Sequence, residues 1–450
     1  MKENYYPLFK RLIEAYTEGD FKETVDQMLK EEFEDDQQGR EVLAALCGID
    51  INTLNPDAFT YEIADAITKN QVYTKIVQKV HHCGEDCECI EGQSKCQSVC
   101  PFSAIMKDLD SGDKWIDSEL CMNCGRCVTV CDKGNYMDLK QFLPLYELLK
   151  TGEKVIAIVA PAIAGQFGEQ VSLDQLREAF IKIGFTDMME VAVAADVLSL
   201  KEALEFSEHV KTKDDLLITS CCCPIWVAML RKVYQDLVKY VSPSVSPMVA
   251  MGRIIKKLNP DAKVVFIGPC IAKKSEAKEP DIADAVDYVL TFQEVEVIFD
   301  AFKIDVHTLE GVPTIDYASR GGRLYAHTGG VSQAVYEIVE EIFPKKKELF
   351  KAIQIDGAAN CKQFLNKFEQ SNNDITFVEG MGCIGGCVGG PKAIVNKEIG
   401  KEAVDKVAYE SAIKIPVHSE VLVRLFEQLD IHSVEDLKAK SSLFERSFES

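Results

Sequence analysis

The stretch KVIAIVAP, at residues 154–161, is an apolar run that ends in a proline. A run of this length and composition is typical of a short buried strand. The capping-box sequence Ser172-Leu173-Asp174-Gln175 follows it and predicts a helix that begins there and ends at Gly184. A buried strand followed by a helix is the repeating unit of an α/β fold, so this stretch sets the expectation for the rest of the chain.

The same alternation of predicted strands and helices continues toward the carboxyl terminus. Four further runs predict short buried strands, separated in several places by helical patterns: DLLIT (215–219), KVVFIG (263–268), DYVLTF (287–292) and DITFVEG (374–380). We therefore predict an α/β domain over residues 146–450, with mostly parallel sheets flanked by helices.

Cysteines stand where such a fold concentrates its function, after the carboxyl ends of strands. Cys221, Cys222 and Cys223 follow the strand at 215–219, whereas Cys270, Cys383 and Cys387 follow two others. Adjacent side chains point in different directions, so the three neighbouring thiols cannot all ligate one metal. Four cysteines from three strand ends could hold a [4Fe–4S] cluster, and the glycine-rich loop GMGCIGGCVGGP would allow the backbone to approach it closely.

A second cysteine-rich segment precedes this domain. The run Cys121-x2-Cys124-x2-Cys127-x3-Cys131 is typical of iron–sulfur proteins, where the first three thiolates bind one cluster and the fourth binds its neighbour. Upstream, KCQSVCPF contains the end of the same pattern. We predict a ferredoxin-like α+β module with two [4Fe–4S] clusters over residues 78–145.

The spacing assigns four ligands to each cluster. One is predicted to take Cys100, Cys121, Cys124 and Cys127, and the other to take Cys83, Cys87, Cys96 and Cys131. Cys89 lies so close to Cys87 in sequence that we prefer Cys83 and Cys87. Zinc also accepts four cysteines, but this spacing favours iron–sulfur. His81 and His82 could supply a ligand, although solvated loop histidines are the simpler interpretation.

The remaining segment, residues 1–77, shows apolar residues three and four apart, which predicts short amphipathic helices. Cys47 lies on one apolar face and is interpreted as a buried structural thiol. Over the whole chain the net charge is −22, which argues against nucleic acid and anionic membranes as partners. There is no apolar run near the roughly 18 residues that span a bilayer. The start lacks the apolar stretch of a secretory signal, and 17 cysteines then favour metal chemistry in the cytoplasm.

Three segments carry a resemblance to a known family: TSCCCPIW (219–226), GPCIAKKSE (268–276) and MGCIGGCVGG (381–390). In this order they resemble the signature segments of the [FeFe]-hydrogenases, and the likeness runs from about residue 78 to 395. The chain looks most like the branch with a tripled cysteine in the first segment. The resemblance implies an H-cluster, a [4Fe–4S] cluster joined to a diiron subcluster with CO, CN⁻ and dithiolate ligands.

The resemblance also implies roles for individual residues. The cubane ligands would be Cys223, Cys270, Cys383 and Cys387, the last of which would bridge to the diiron subcluster. Cys222 matches the cysteine that relays protons, and Lys273 matches the lysine that hydrogen-bonds a cyanide. Met381 resembles the methionine packed over the bridging carbonyl, and Pro161 matches a backbone group that faces the other cyanide. Cys221 replaces a usual serine and is expected to be a packed thiol, whereas Cys361 matches no family role.

A proton route to the buried site is implied as well. Glu202 and Glu205 lie three residues apart on one helical face, a pair that would ordinarily be a solvated surface. Their spacing to Cys222 matches the family, and Ser242 and Ser246 also fall in register. The implied order is Glu205, Ser242, Glu202 and Cys222, with carboxylic acid and thiol groups as relays. Glu276 matches an acidic residue that is expected to fix the loop.

Three positions depart from the family pattern. Ala162 stands where many relatives have a serine beside a cyanide, Gly268 replaces a methionine, and Met248 replaces a glutamine. We expect these changes to remove hydrogen bonds and packing around the diiron site.

The resemblance implies the reaction 2H⁺ + 2e⁻ ⇌ H₂, with electrons exchanged with a soluble carrier such as ferredoxin. It also implies hydrogenase maturation proteins as partners, since they make the diiron cofactor. Two alternatives remain: a cluster-assembly scaffold without a diiron unit, and a sensory hydrogenase with slow turnover. The residues Cys222, Glu202, Glu205 and Lys273 argue against a scaffold, because a scaffold needs no proton route.

Overall fold

The computed structural model describes residues 5–71, 75–83, 87, 89–90, 92–219, 222–314, 318–368 and 374–448. Cys221 and the side chain of Cys89 lie outside what is described, so their expected roles stay predictions.

Helices make up the described part of the amino-terminal segment: α1 (Tyr5–Glu18), α2 (Phe21–Glu31), α3 (Asp36–Cys47) and α4 (Phe59–Thr68). The first three are the predicted amphipathic helices. The Asp35 carboxylate caps α3 by accepting from the backbone N–H of Gln37, and α3 ends at Gly48, whose φ is 76°. Cys47 is fully buried, and burial raises the pKa of its thiol, as a structural thiol requires.

The cysteine-rich module is built from short elements: β1 (Val77–Lys79), β2 (Cys89–Ile90), β3 (Gln93–Ser94), α5 (Lys95–Ser98), β4 (Ile105–Lys107), β5 (Lys114–Ile116), α6 (Arg126–Val130) and β6 (Tyr136–Asp138). Strands β1 and β6 pair antiparallel, as do β2 with β3 and β4 with β5. The cysteine run from 121 to 131 passes from a loop into α6, which is the irregular backbone that cluster ligation needs.

The remainder of the described chain alternates strands and helices: α7 (Phe142–Thr151), β7 (Val155–Val159), α8 (Leu173–Ile183), β8 (Asp187–Glu190), α9 (Ala192–His209), β9 (Leu217–Ile218), α10 (Pro224–Lys232), α11 (Pro247–Leu258), β10 (Lys263–Gly268), α12 (Ala272–Glu276), β11 (Tyr288–Thr291), α13 (Phe292–Ala301), α14 (Arg320–Leu324), α15 (Gly330–Ile342), β12 (Ala352–Asp356), α16 (Ala358–Lys367), β13 (Phe377–Met381), α17 (Lys397–Glu410), α18 (Glu420–Gln428), α19 (Val434–Ala439) and α20 (Ser441–Phe444).

Two parallel sheets organise these elements, with orders β11-β10-β7-β8 and β12-β13-β9. All five predicted strands are present, and the α/β class is confirmed. Strands β8 and β12 were missed because they lie at sheet edges and carry polar residues, so they show no continuous apolar run.

A buried ion cluster joins the cysteine-rich module to the α/β part. Five charged side chains, each at most 6% exposed, meet there: Asp138, Lys140, Lys274, Glu294 and Lys392. Asp138 Oδ1 lies 2.9 Å from Lys140 Nζ and 2.8 Å from Lys392 Nζ. Burial alone would raise the pKa of Asp138, but the surrounding lysines hold it well below its usual range. Breaking such a cluster leaves uncompensated buried charge, so it fixes how the two parts pack.

The amino-terminal helices add contacts to both neighbours. The Tyr5 hydroxyl donates to the carbonyl of Gly134 at 2.8 Å, and Lys10 pairs with Asp300 of α13 at 2.9 Å. Within the described ranges, no helix has the length and apolar character needed to cross a membrane.

Candidate metal centre

Three strand ends bring four predicted ligands together. Cys223 follows β9, Cys270 follows β10, and Cys383 and Cys387 follow β13. Burial raises the pKa of Cys270 to about 12, and the neighbouring Cys223 and Cys387 add to the rise. Burial likewise raises the pKa of Cys383 well above its ordinary value, with contributions from the same neighbours. The thiols are therefore close enough to sense each other's charge in a site withdrawn from water.

Local backbone geometry prepares Cys223 to carry negative charge. It caps α10, where Pro224 takes the first helical position and needs no hydrogen-bond partner. Gly382 donates its N–H to Cys223 Sγ at 3.2 Å. Burial raises the pKa of Cys223, whereas the backbone amides of Trp226, Gly382 and Ile225 oppose this rise. Amides at the amino terminus of a helix favour negative charge, which suits a thiolate ligand.

The glycine-rich loop meets protein at close range, which the sequence interpretation did not anticipate. A Cβ on Gly380 would lie 2.1 Å from the Trp226 ring, and one on Gly386 would lie 2.7 Å from the backbone of His327. Gly386 also has a φ of 85°. These glycines are thus required for packing against α10 and the 325–328 loop, whatever the loop also does toward a metal.

A small apolar cavity adjoins Cys387. Its lining includes the following residues: Ala160, Pro161, Val191, Ala195, Cys222, Pro247, Met248, Phe266, Lys273, Tyr325, Ala326 and Cys387. The Cys222 thiol hydrogen-bonds Cys387 and lowers its pKa, although burial opposes this shift. Cys222 Sγ also lies 3.8 Å from the carbonyl oxygen of Tyr325. A thiol, an ammonium group and a predicted ligand cysteine therefore face one small cavity.

Lys273 is held in position by the acidic residue of its own motif. Its ammonium group lies 2.6 Å from the Glu276 carboxylate, and both residues are buried. Burial alone would lower the pKa of Lys273, but Glu276 and the nearby thiols reverse this and raise it. Lys273 therefore presents a fixed positive charge to the cavity, and Glu276 sits where it can fix the loop.

The departures from the family pattern have different consequences from those expected. A Cβ on Gly268 would lie 2.6 Å from the Phe266 ring, so that ring already fills the space which the missing side chain vacates. The expectation of lost packing at Gly268 is therefore wrong. Met248 lines the cavity, as expected for a pocket residue. Ala162 and Met381 are buried, but neither is among the residues that line the cavity.

Tyr325 is a cavity residue that the sequence reasoning missed. Its hydroxyl lies 3.0 Å from Ser199 Oγ, and Ser199 in turn donates to the Ala195 carbonyl at 2.8 Å. These contacts hold the phenol against α9 at the edge of the cavity. Tyr325 belongs to no motif quoted above. Its place at the cavity can be recognised only from the structure, in which its loop lies opposite Cys387.

The acidic pair on α9 is not a solvated surface. Glu202 is fully buried, and the Glu205 side chain is 13% exposed. Ser242 Oγ donates to Glu205 Oε2 at 2.6 Å, and Thr219 Oγ1 donates to Glu202 Oε1 at 2.8 Å. The structure therefore brings Ser242 to Glu205, and it adds Thr219, which the sequence reasoning had not assigned.

Ser246, the second serine in register, has a local structural role. Its hydroxyl accepts from the N–H of Val249 at 3.5 Å and caps α11. Cys361, which matched no role, is buried with Sγ 3.4 Å from the carbonyl of Met381. Burial raises the pKa of Cys361 to about 12, which suits a structural thiol.

Both predicted ligand sets of the cysteine-rich module also converge. A cavity of about 190 Å³ is lined by one complete set: Cys83, Cys87, Cys96 and Cys131. In the other set, burial raises the pKa of Cys124 to about 11, and Cys100 and Cys121 add to the rise. Cys124 and Cys383 line one common cleft, so this second set lies next to the centre described above.

The two histidines near Cys83 have other partners. His82 is exposed and its Nδ1 lies 2.8 Å from Asp113, whereas His81 contacts Gln38. Asp113 also accepts from the backbone N–H of Cys83 at 2.8 Å and pairs with Lys79. Burial alone would raise the pKa of Asp113, but these donors together lower it. The Asp113 carboxylate therefore holds the loop that presents Cys83.

The donor chemistry fits iron–sulfur clusters at all three places. Each place offers four thiols, and thiolate is the ligand that such clusters use. The cavity of the Cys83 set is also lined by Asp132, which pairs with Lys95 at 2.6 Å. No three Cys, His, Asp or Glu side chains within the described ranges meet closely enough to hold one metal ion. A cubane does not need them to, since its four irons occupy separate corners.

The comparison with known proteins agrees with this fold. The family described as iron only hydrogenase large subunit, C-terminal domain, matches residues 153–391. This match covers more than half of the 450 residues. The chain therefore belongs to the iron-only hydrogenase large-subunit family.

Individual relatives are distant. The chain is 26% identical over 466 residues to iron hydrogenase 1 of Clostridium pasteurianum, and the match covers 80% of each chain. It is 26% identical over 326 residues to an NADP-reducing hydrogenase subunit of Solidesulfovibrio fructosivorans, covering 60% of this chain and 55% of that one. The chain thus spans about half the length of the latter protein.

A solved [FeFe]-hydrogenase structure from Chlamydomonas reinhardtii has a similar fold, with a TM-score of 0.57 and 22% identity over 68% of this chain and 98% of that chain. A probable cytosolic Fe–S cluster assembly factor of Drosophila erecta is also similar, at 25% identity over 50% of this chain and 57% of that one. The proteins that resemble this chain thus have two described roles, hydrogenase and Fe–S cluster assembly factor.

Proposed function

We propose that this protein is an [FeFe]-hydrogenase that catalyses 2H⁺ + 2e⁻ ⇌ H₂ and exchanges electrons with a ferredoxin-type carrier. The H-cluster would be held by Cys223, Cys270, Cys383 and Cys387, and it would supply the redox chemistry and the site at which H₂ is made or split. The protein's own side chains would carry out the remaining tasks in the reaction.

Those side chains would hold charge and move protons. Cys222 would take a proton from the cavity and pass it toward Glu202, and Ser242 and Glu205 would carry it outward. Each is a weak acid or a hydroxyl, the kinds of group that relay protons through an apolar interior. Lys273 would keep its charge and orient cyanide through hydrogen bonding. Pro161 would lie beside the same ligand shell, and Met381 and Ala162 would contribute packing behind it.

The observation that carries the proposal is the cavity beside Cys387. It combines the Cys222 thiol with the fixed ammonium of Lys273, and it is otherwise largely apolar. A protein that only stored or transferred a [4Fe–4S] cluster would need the four ligand thiols, but it would not need a small apolar cavity onto which a thiol and a fixed ammonium group both open.

The electron route is proposed to use both ferredoxin-like clusters. The set of Cys100, Cys121, Cys124 and Cys127 would lie nearest the H-cluster, because Cys124 and Cys383 border one cleft. The set of Cys83, Cys87, Cys96 and Cys131 would then be the outer one and receive electrons from the carrier. We assign these clusters to a module at residues 78–145, between a helical segment at 1–77 and the H-cluster domain at 146–450.

A cytoplasmic location and reliance on hydrogenase maturation proteins complete the proposal. The subgroup with the tripled cysteine also remains a proposal.

An assembly scaffold is the second candidate, because assembly factors are among the similar proteins. A sensory hydrogenase would share the cofactor and differ in rate. Infrared spectroscopy after maturation, combined with an H₂ assay, separates the three. An active hydrogenase should show CO and CN⁻ bands with turnover, a sensor the bands with slow turnover, and a scaffold neither. Absence of the bands from fully maturated protein would refute the proposed function.

Iron content gives an independent check. Three [4Fe–4S] clusters and one diiron unit amount to about 14 iron atoms per chain. A maturated sample with only about 8 iron atoms would retain the module and contradict the H-cluster assignment.

A further inference from the structure

The carboxyl-terminal segment packs against the loop that carries Ser242. Ser244 and Glu445 form an antiparallel bridge, Val245 donates its N–H to the Phe444 carbonyl at 2.9 Å, and Arg446 donates to the Pro243 carbonyl at 2.9 Å. These contacts set the register, so the Glu445 side chain must emerge beside Ser244.

Anchors on both sides of Glu445 hold this register. Phe444 is fully buried, and the Arg446 side chain is 3% exposed and pairs with Asp281 at 3.1 Å. Arg253 also donates to the Glu445 carbonyl at 2.9 Å. The segment is therefore a fixed part of the wall around the serine loop.

Lys201 links Glu445 to the proposed proton route. Its ammonium group pairs with Glu205, lies 3.0 Å from Glu445 Oε1, and lies 3.3 Å from Ser244 Oγ. Burial favours the neutral amine, but the ion pairs with Glu205 and Glu445 outweigh burial and raise the pKa of Lys201. Lys201 therefore stays charged and holds two carboxylates at one point.

Exposure increases outward along this series. Glu202 is fully buried, the Glu205 side chain is 13% exposed, and the Glu445 side chain is 31% exposed. Both oxygens of Glu205 are already engaged, Oε1 by Lys201 and Oε2 by Ser242. Of the three carboxylates, Glu445 is the one that meets solvent most freely.

Building on the proposed function, we infer that Glu445 is the outer proton acceptor and donor of the route, and that Lys201 is the positioning residue that holds it to Glu205. Two oxygens that accept from one tetrahedral ammonium lie roughly 5 Å apart, a gap that one water molecule bridges. During H₂ oxidation the Glu205 O–H bond breaks, the proton crosses that water, and a Glu445 O–H bond forms. Glu205 returns to carboxylate, and the charge of Lys201 does not change.

The test compares Glu445→Gln with Glu435→Gln. Glu435 is an exposed acid of α19 in the same terminal region, so it controls for the lost charge. Glutamine keeps the size of Glu445 and an oxygen that accepts from Lys201, but it does not carry a proton. We expect Glu445→Gln to slow turnover about tenfold, less than the loss of an inner acid–base group. Glu435→Gln should leave turnover unchanged.

A second readout does not depend on turnover. Infrared spectroscopy can follow the exchange of the Cys222 S–H stretch after dilution into D₂O, with the band identified by its loss in Cys222→Ser. Glu445→Gln should slow this exchange by a similar factor. Lys201→Met should slow both rates, and Lys201→Arg should restore them, because arginine keeps the charge and the donors.

The outcomes separate this inference from the function beneath it. One outcome is that Glu445→Gln has wild-type rates of Cys222 S–H exchange and of turnover, while Cys222→Ser is inactive. In that case Glu445 is not in the route, and the proposed function stands. If Cys222→Ser keeps full turnover, the route itself fails. Iron content and the unfolding midpoint check folding. If Glu445→Gln loses iron, Lys201→Met is compared with Lys201→Arg instead. Equal turnover and equal Cys222 S–H exchange rates in these two variants would refute the inference.

Discussion

Gly268 and Phe266 should behave as one packing unit at the rim of the cavity. In Gly268→Ala the added Cβ would lie 2.6 Å from a Phe266 ring carbon, whereas carbon atoms pack at about 3.5–4.0 Å. The ring must therefore move by about 1 Å. The ring is only 3% exposed and lines the cavity, so a displaced ring would crowd its buried neighbours or intrude on the cavity. Overpacking of this kind costs about 1–3 kcal/mol.

A double-mutant cycle measures the coupling. Phe266→Leu should destabilise the protein by leaving a void, and Gly268→Ala should destabilise it by crowding. The double variant should lose less free energy of unfolding than the two single variants lose together, by about 1–3 kcal/mol. The reason is that the smaller leucine side chain makes room for the new methyl group. Denaturant unfolding of the cluster-loaded proteins measures how far the free energy of unfolding of each of the three variants differs from that of the wild type.

Gly400→Ala provides a matched control for the glycine change. Gly400 lies in α17, and its added Cβ would meet its neighbours at 3.4 Å or more. Alanine favours a helix over glycine by about 1 kcal/mol, so this variant should be neutral or stabilised. If Gly268→Ala behaves like Gly400→Ala, or if the costs in the cycle simply add, the Phe266 ring does not occupy the space we assign to it.

Four further substitutions test the proposed cluster sites. Cys222→Ser should keep the iron content and lose at least about 10²-fold in turnover, since a hydroxyl is a poor acid, whereas Cys223→Ser should lower the iron content; the reverse pattern would shift the register by one residue. Cys124→Ala should remove about four iron atoms and slow exchange with an external carrier, while the CO and CN⁻ bands persist; loss of those bands would contradict independent clusters. Asp113→Asn should speed chelator-driven iron loss from the outer cluster at neutral pH. The folded structure lowers the pKa of Asp113, so the carboxylate stabilises the Cys83 loop at pH values above its unfolded-state pKa of about 3.9. This stabilisation is lost as the carboxylate becomes protonated in acid. The wild type and Asp113→Asn should then lose iron at the same rate.

Spacing and apolar runs predicted the parts of the site that depend on local sequence. The strands that precede Cys223, Cys270 and Cys383 are continuous apolar runs, and the cysteine spacing in the module is itself the ligand pattern. The edge strand β12 carries a mixed sequence, so its apolar residues give no clear period.

Contacts that depend on how side chains pack left no local trace in the sequence. Nothing near Gly268 indicates that Phe266 replaces the missing side chain, because the compensation lies on the same strand but depends on how the ring turns. In the same way, Lys201 reads as one more helical lysine until the terminal segment brings Glu445 to it. Such pairings are properties of the packed chain and could not be predicted from motifs.

The ion cluster around Asp138 has a consequence for biosynthesis. Asp138 and Lys140 emerge from the ribosome early, but their partner Lys392 follows Asp138 by 254 residues. Until then Asp138 and Lys140 can pair with each other, but the buried cluster is incomplete because Lys392 has not been translated. The module therefore reaches its final packing against the α/β part only after Lys392 has been translated. We expect any cluster in the module to reach its final surroundings only in a chain that is almost complete.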